Sequence, residues 1–302
     1  MEFGRTSKRK LDTVNFSLPP QREENKKILT GLEHTKPKVF IGGSKWGKHE
    51  WIGKIFPPKV SDKYFLENYA RHFNSIELNA THYKLISSKT INKWIEKTAG
   101  IDFLYCPKLY QGITHKGTLY DKDEVLREFL AGVSSFKKQL GPILIQISES
   151  LGPKRKAELF SFLESLPRTL GFFVEVRHAE WLTDVNEQNE LFSFCAKYNI
   201  GVVITDTALR RDCAHMRLAI PKVFIRYVGE GLHNTDYNRI DEWVKQLKIW
   251  IENGLEEVYF FMHLEEEQYL PELTTYMIEN LNDTCGLNLK KPTFIKKNNI
   301  LF

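Results

Sequence analysis

The feature that most limits the fold is a regular alternation. From residue 39 onward, runs rich in β-branched and aromatic residues recur at 39–44, 75–79, 103–108, 143–148, 172–177, 201–206, 223–228 and 258–263. They lie about 30 residues apart, enough for a strand, a helix and two loops. The intervening segments carry apolar residues at helical spacing: Phe65, Leu66, Tyr69, Ala70 and Phe73 in one, and Trp243, Leu247, Trp250 and Ile251 in another. Asp62 and Ser88 are the expected N-caps of the first two helices. Eight alternating units predict a single-domain α/β protein, a TIM-like (β/α)8 barrel of parallel strands. The rival is an open doubly wound sheet, but no GxGxxG or GxxxxGK[ST] follows any strand. The expected boundaries are a flexible basic leader over 1–38 closing at Thr35-Lys36-Pro37-Lys38, a barrel over 39–283 and a C-terminal extension over 284–302.

Charge bears on partners. Of 43 Lys/Arg and 38 Asp/Glu in the 302 residues, nine and five fall in the leader, leaving 34 and 33 for the rest. A nearly neutral body offers no electrostatic footprint for duplex DNA, and the leader reads as a solvated segment. No stretch approaches the length of a membrane span, and the N-terminus has no apolar signal core. Cys106, Cys195, Cys213 and Cys285 form no CxxC pair. Reduced thiols and a cytoplasmic protein are therefore expected.

Polar residues interrupt the strands near their C-terminal ends. They are Glu77 and Asn79, Lys108, Gln146, Glu175 and Arg177 followed by His178, Asp206, Arg226 and His263. Burying an unpaired charge costs several kcal/mol, so such residues must pair with one another or face a solvated pocket. In a barrel, residues of one parity point to the axis, and active sites lie at the C-terminal mouth. A closed ion-pair network of Glu77, Glu175 and Asp206 with Lys108, Arg177 and Arg226 is the structural alternative. Loops after the strands add Trp46, Tyr83, His115 and Trp181, which either touch a ligand or pack on the barrel rim.

At these residues the chain resembles the DUF72 (YecE-like) family. The resemblance runs from Ile41-Gly42-Gly43-Ser44-Lys45-Trp46 and Trp51-Ile52-Gly53 through Tyr69-Ala70-Arg71-His72-Phe73-Asn74-Ser75-Ile76-Glu77-Leu78-Asn79, Lys108, Ile113-Thr114-His115 and Gln146 to Glu175-Val176-Arg177-His178 with Trp181, then Asp206. It covers residues 39–280 and implies a barrel related to the TIM fold with no settled activity. The leader lies outside it. Within it the segment after the last strand departs from the family pattern, where Leu264-Glu265-Glu266-Glu267 replaces a stretch usually rich in glycine and alanine.

Three functional readings follow. The first is an enzyme acting on an anionic or phosphorylated ligand held by Lys108, Arg177 and Arg226. Glu77 or Glu175 would serve as acid or base, and His178 or His263 as proton carrier. Asp206 joins these as a catalytic candidate. Trp46, Asn79, Tyr83, His115, Gln146 and Trp181 would line the ligand. No cofactor is expected. A metal-dependent variant, an endonuclease IV-like phosphoesterase, would use His115, Glu175, His178, Asp206 and His263 around a divalent metal, though no HxH or HExxH spacing supports it. The third reading is a non-catalytic binder of a small anion or nucleic acid. The oligomeric state stays open.

Overall fold

The computed structural model describes residues 3–31 and 36–296. Among these, nine parallel strands form the framework: β1 (Lys38–Gly42), β2 (Ser75–Leu78), β3 (Leu104–Pro107), β4 (Ile143–Gln146), β5 (Phe172–Glu175), β6 (Ile200–Val202), β7 (Ile204–Asp206), β8 (Lys222–Gly229) and β9 (Glu257–Leu264). β6 and β7 are halves of one barrel strand, parted at Val203, whose N–H donates to Val174 O at 2.9 Å. Continuous ladders join β2 to β3, β4 to β5 to β6, and β7 to β8 to β9 to β1. Hydrogen bonds beyond the ladders bridge the remaining seams. Leu109 N–H donates to Leu144 O between β3 and β4, and Glu77 N–H donates to Gly43 O between β1 and β2. The strands thus form three parallel ladders with hydrogen bonds across the seams between them.

The β1–β2 seam explains a motif. Tyr69, on the helix Phe65–His72, accepts from Gly43 N–H at 2.8 Å and donates to Ser75 O at 3.1 Å. Asn74 accepts from Ile41 N–H and donates to Val39 O, both at 2.8 Å. The Tyr-Ala-x-x-Phe-Asn run is therefore a clasp between strands. A Cβ on Gly42 would fall 2.0 Å from Ser75 O, so only glycine permits this approach. The expected caps differ by a residue or more. Ser87, not Ser88, caps the helix Ser88–Lys97, and Asp62 begins a short 3-10 turn ahead of Phe65–His72. The pattern of apolar residues locates a helix, but the cap depends on where the backbone turns in.

The barrel interior is layered. Leu104, Cys106, Leu144, Phe173, Val203, Phe224, Tyr259 and Phe261 fill its lower part with Phe40. Phe40 stacks on Tyr259 with centroids 5.1 Å apart. A Cβ on Gly201 would meet the Phe173 ring at 2.1 Å, so that glycine makes room for the plug. Helices surround the barrel and bury their apolar stripes against the outer faces of the strands, Trp243, Leu247 and Trp250 among them.

The leader does not behave as a solvated arm over residues 3–31. Leu11 and Phe16 are buried with Ala208, and Phe16 lies beneath the guanidiniums of Arg211 and Arg239. Buried Asn25 donates to Met216 O and accepts from Leu218 N–H. Its apolar and amide side chains found partners on the barrel that composition could not reveal. Thr35 of the expected junction and residues 297–302 of the expected extension lie outside the described residues. Among the described residues no helix is long and apolar enough to cross a membrane, and all four cysteines are unpaired.

Candidate functional site

Parallel pairing decides which strand-end residues meet. Gln146 sits beside Glu175, and Thr205 beside Arg226. Register partners project to the same side, so these four share the barrel interior above the aromatic plug. Glu77, Lys108 and His263 complete the layer.

Arg226 is its centre. Its Nε and Nη2 donate to Glu77 at 2.9 and 2.8 Å, and Nη1 donates to both Glu175 oxygens at 2.9 Å. Glu175 also accepts from Gln146 Nε2 and from Thr205 Oγ1. Glu77 contacts His263 Nε2 at 3.0 Å. Arg226, Glu77 and Glu175 are almost completely buried. Burial alone would raise both carboxyls. The Arg226 charge, with His263 for Glu77 and Arg177 for Glu175, more than offsets it and holds both below the usual carboxylate range. Two acids so placed are counter-ions rather than bases matched to neutral pH. Burial also lowers His263, favouring its uncharged imidazole.

Lys108 is different. It is 6% exposed, and its Nζ donates to Gln146 Oε1 at 2.9 Å. Among the described residues no carboxylate lies within ion-pair distance of it. Burial, then the charge of Arg226, brings its ammonium down to about 8. Arg177 approaches Glu175 at 3.8 Å and lies against the Phe3 ring, 4.2 Å from its centroid.

Above this layer opens a cavity of about 810 Å³. Lys108, Gln146, Arg177, Arg226 and His263 line it, with Trp46, Asn79 and Tyr83 nearer the rim. The structure therefore brings these eight of the expected residues together. Glu77 and Glu175 lie just beneath. A larger hollow of about 920 Å³ sits at the other end of the strands, lined by Val39, Phe40 and Leu104, away from the polar layer. The mouth, not that hollow, holds the convergent ionisable groups.

Four expectations are corrected. Asp206 points out of the barrel, where it accepts from Arg239, Trp243 and Arg211. In β7 it is Thr205 that has the inward parity, so Asp206 ties a helix to a strand and does not face the mouth. Trp181 is fully buried and donates from Nε1 to Leu151 O at 2.8 Å, which makes it an anchor of the rim. His178 rests against Gly152, and His115 lies on the surface, edge-on to His82. Neither lines the cavity. The five side chains of the metal-dependent reading thus do not converge. Among the described residues no three His, Cys, Asp or Glu form a group able to hold a metal.

Sequence reasoning missed three contributors. Thr205 carried a signal in its parity with Glu175 and Arg226. His82 lies on a short helix, its Nδ1 bonded to Leu109 O at 2.7 Å, and no strand pattern pointed to it. Burial, then Lys108, brings it down to about 4. Phe3 reaches the cavity from the leader, which only tertiary packing reveals.

A family model described as "Protein of unknown function DUF72" matches residues 40–295. The chain belongs to the DUF72 family. UPF0759 protein YecE of Escherichia coli (strain K12) is 27% identical over 264 residues, 82% of this chain and 93% of that protein. UPF0759 protein YunF of Bacillus subtilis (strain 168) is 26% identical over 190 residues, 57% of this chain and 65% of that protein. The crystal structure of a DUF72 family protein from Enterococcus faecalis V583 superposes with a TM-score of 0.63 at 16% identity, covering 84% of this chain and all of the other, and so shares its fold. The family match runs past residue 280 into the expected C-terminal extension. There Leu289 pairs with Asn282, and Ile295 N–H donates to Lys54 O.

The leader, which precedes the family match, meets the acidic segment after β9. Arg5 of the leader pairs with Glu265 and donates to His263 O, while Lys8 reaches Glu266 at 3.1 Å. The acidic segment after β9 is thus the seat of the basic leader, and these two cations are engaged on the protein itself.

Proposed function

We propose that the barrel mouth is the active site of an enzyme acting on a small anionic compound. One observation carries this reading. The two inner carboxylates face three cations, Arg226, Arg177 and Lys108, so the wall of a cavity large enough for a small metabolite carries net positive charge. A guanidinium at a partly desolvated wall suits a carboxylate or phosphate. Asn79 and Gln146 add neutral polar groups, and Trp46 adds an aromatic face. Glu77 and Glu175 then position Arg226 and set the field of the mouth, and proton transfer falls to the uncharged imidazoles of His82 and His263.

Binding of a small anion to a purely closed network would have no such surplus to exploit. Titration calorimetry with inorganic phosphate and with pyruvate, on the wild type and on Arg177→Gln, tests the reading. Saturable binding that weakens by about tenfold or more in the variant is expected, the worth of one charge-assisted bond. Binding of neither anion, or binding indifferent to Arg177, overturns it.

A further inference from the structure

Anion binding alone does not account for a lysine buried at the floor of the mouth with a neutral partner. From its position we infer that Lys108 is a nucleophile that forms an imine with the carbonyl carbon of an anionic oxo compound, an oxo acid or a phosphorylated aldehyde or ketone. The inference rests on the proposed anion site and names the substrate class for it.

Three observations on the geometry carry it. Lys108 is one of the residues that line the cavity, which puts it within reach of a ligand held there. Its hydrogen bond runs to Gln146 Oε1, a neutral acceptor, and Gln146 is itself held by donating from Nε2 to Glu175. An amine can donate to that oxygen whether or not it is protonated, which leaves its lone pair available to the cavity when it is neutral. The inner carboxylates, which would otherwise fix the ammonium form, are taken by Arg226. A structural lysine normally has a carboxylate partner, whereas an amine surrounded by other cations is the arrangement that activates Schiff-base lysines. With the ammonium brought down to about 8, the unprotonated fraction at pH 7.5 is on the order of 100 times that of an ordinary lysine.

The step balances. The Lys108 nitrogen bonds to the carbonyl carbon as the carbon–oxygen π bond breaks, giving a carbinolamine. The oxygen then leaves as water with both amine protons, and the resulting imine takes one proton from solvent to become an iminium. Arg177 holds the anionic end. His82, with Nδ1 bonded to Leu109 O, presents Nε2 as a proton acceptor from the same wall.

The test uses the full chain with pyruvate and sodium cyanoborohydride, followed by peptide mass spectrometry. A reduced adduct at Lys108 is expected, enriched by about tenfold or more over each exposed lysine, suppressed by inorganic phosphate and absent in Lys108→Met. A second measurement needs no variant. The rate of reductive methylation of each lysine in the wild type is followed against pH, and Lys108 should show a midpoint near 8 while the exposed lysines keep rising to higher pH. An adduct spread over surface lysines without enrichment, or an ordinary lysine profile for Lys108, overturns the inference. If phosphate still binds in an Arg177-dependent way, the anion site stands and the nucleophile alone is withdrawn. Loss of both removes the site itself.

Discussion

Arg226→Met separates a buried charge network from an apolar core most sharply. The arginine supplies four hydrogen bonds to Glu77 and Glu175 in a layer that is almost wholly buried. Methionine fills much of the same space without charge. Glu175 keeps Gln146, Thr205 and, at 3.8 Å, Arg177. Glu77 keeps only its contact with His263 among the side-chain bonds described. Removing one partner of a buried pair costs about 3–5 kcal/mol, set against a total stability of about 5–15 kcal/mol for a domain. Urea denaturation at pH 7.5 should show a loss in that range. The pH dependence has a definite sign. In the wild type His263, His82 and His215 are lowered by burial, so stability falls as pH drops below the ordinary histidine range. Glu77 and Glu175 are held low, and their contribution is lost further down, below the ordinary carboxylate range. In the variant a proton taken up by Glu77 or His263 relieves the uncompensated charge, so that group's folded-state pKa is raised and its contribution to stability increases as pH falls from 8 to 5. His82 and His215 stay lowered in both proteins, so the stability gap between wild type and variant should narrow across that window. A loss below about 1 kcal/mol at pH 7.5, or parallel profiles, would refute the assignment of Arg226 as the charge that holds this layer together.

Two further outcomes follow from the packing. Asp206→Asn should destabilise the fold by about 3–5 kcal/mol in the same assay, because buried Arg239 loses the nearer of its two charged partners and keeps only Asp236 at 3.8 Å, while phosphate binding at the mouth stays unchanged; weakened binding with intact stability would put Asp206 back in the site. Gly201→Ala forces a methyl against the Phe173 ring and should cost about 1–3 kcal/mol by overpacking, read as a lowered thermal midpoint, and an unchanged midpoint would mean that the aromatic plug has slack.

Much of the architecture could be read from the chain because strand and helix periods are local properties. Eight runs at a near-constant spacing left few arrangements other than a barrel, and the polar residues at their C-terminal ends marked its mouth. Glu77, Lys108, Gln146, Glu175, Arg226 and His263 were legible because they sit two residues beyond, or in line with, inward-facing apolar positions. Asp206 was misplaced because it lies one residue past the inward parity of Gly201, Val203 and Thr205, and Trp181 and His178 because the residues just after a strand carry no periodic signal.

The amino-acid order alone determined the alternation of elements, the layer in which charge would gather and the kinship with DUF72 proteins, since each follows from residue types at fixed separations. Tertiary structure decided who pairs with whom. That two glutamates share one arginine, that Lys108 is left facing a neutral amide, and that a basic leader seats itself on an acidic loop more than 200 residues away are consequences of tertiary packing, which sets distances between residues that the chain itself keeps far apart.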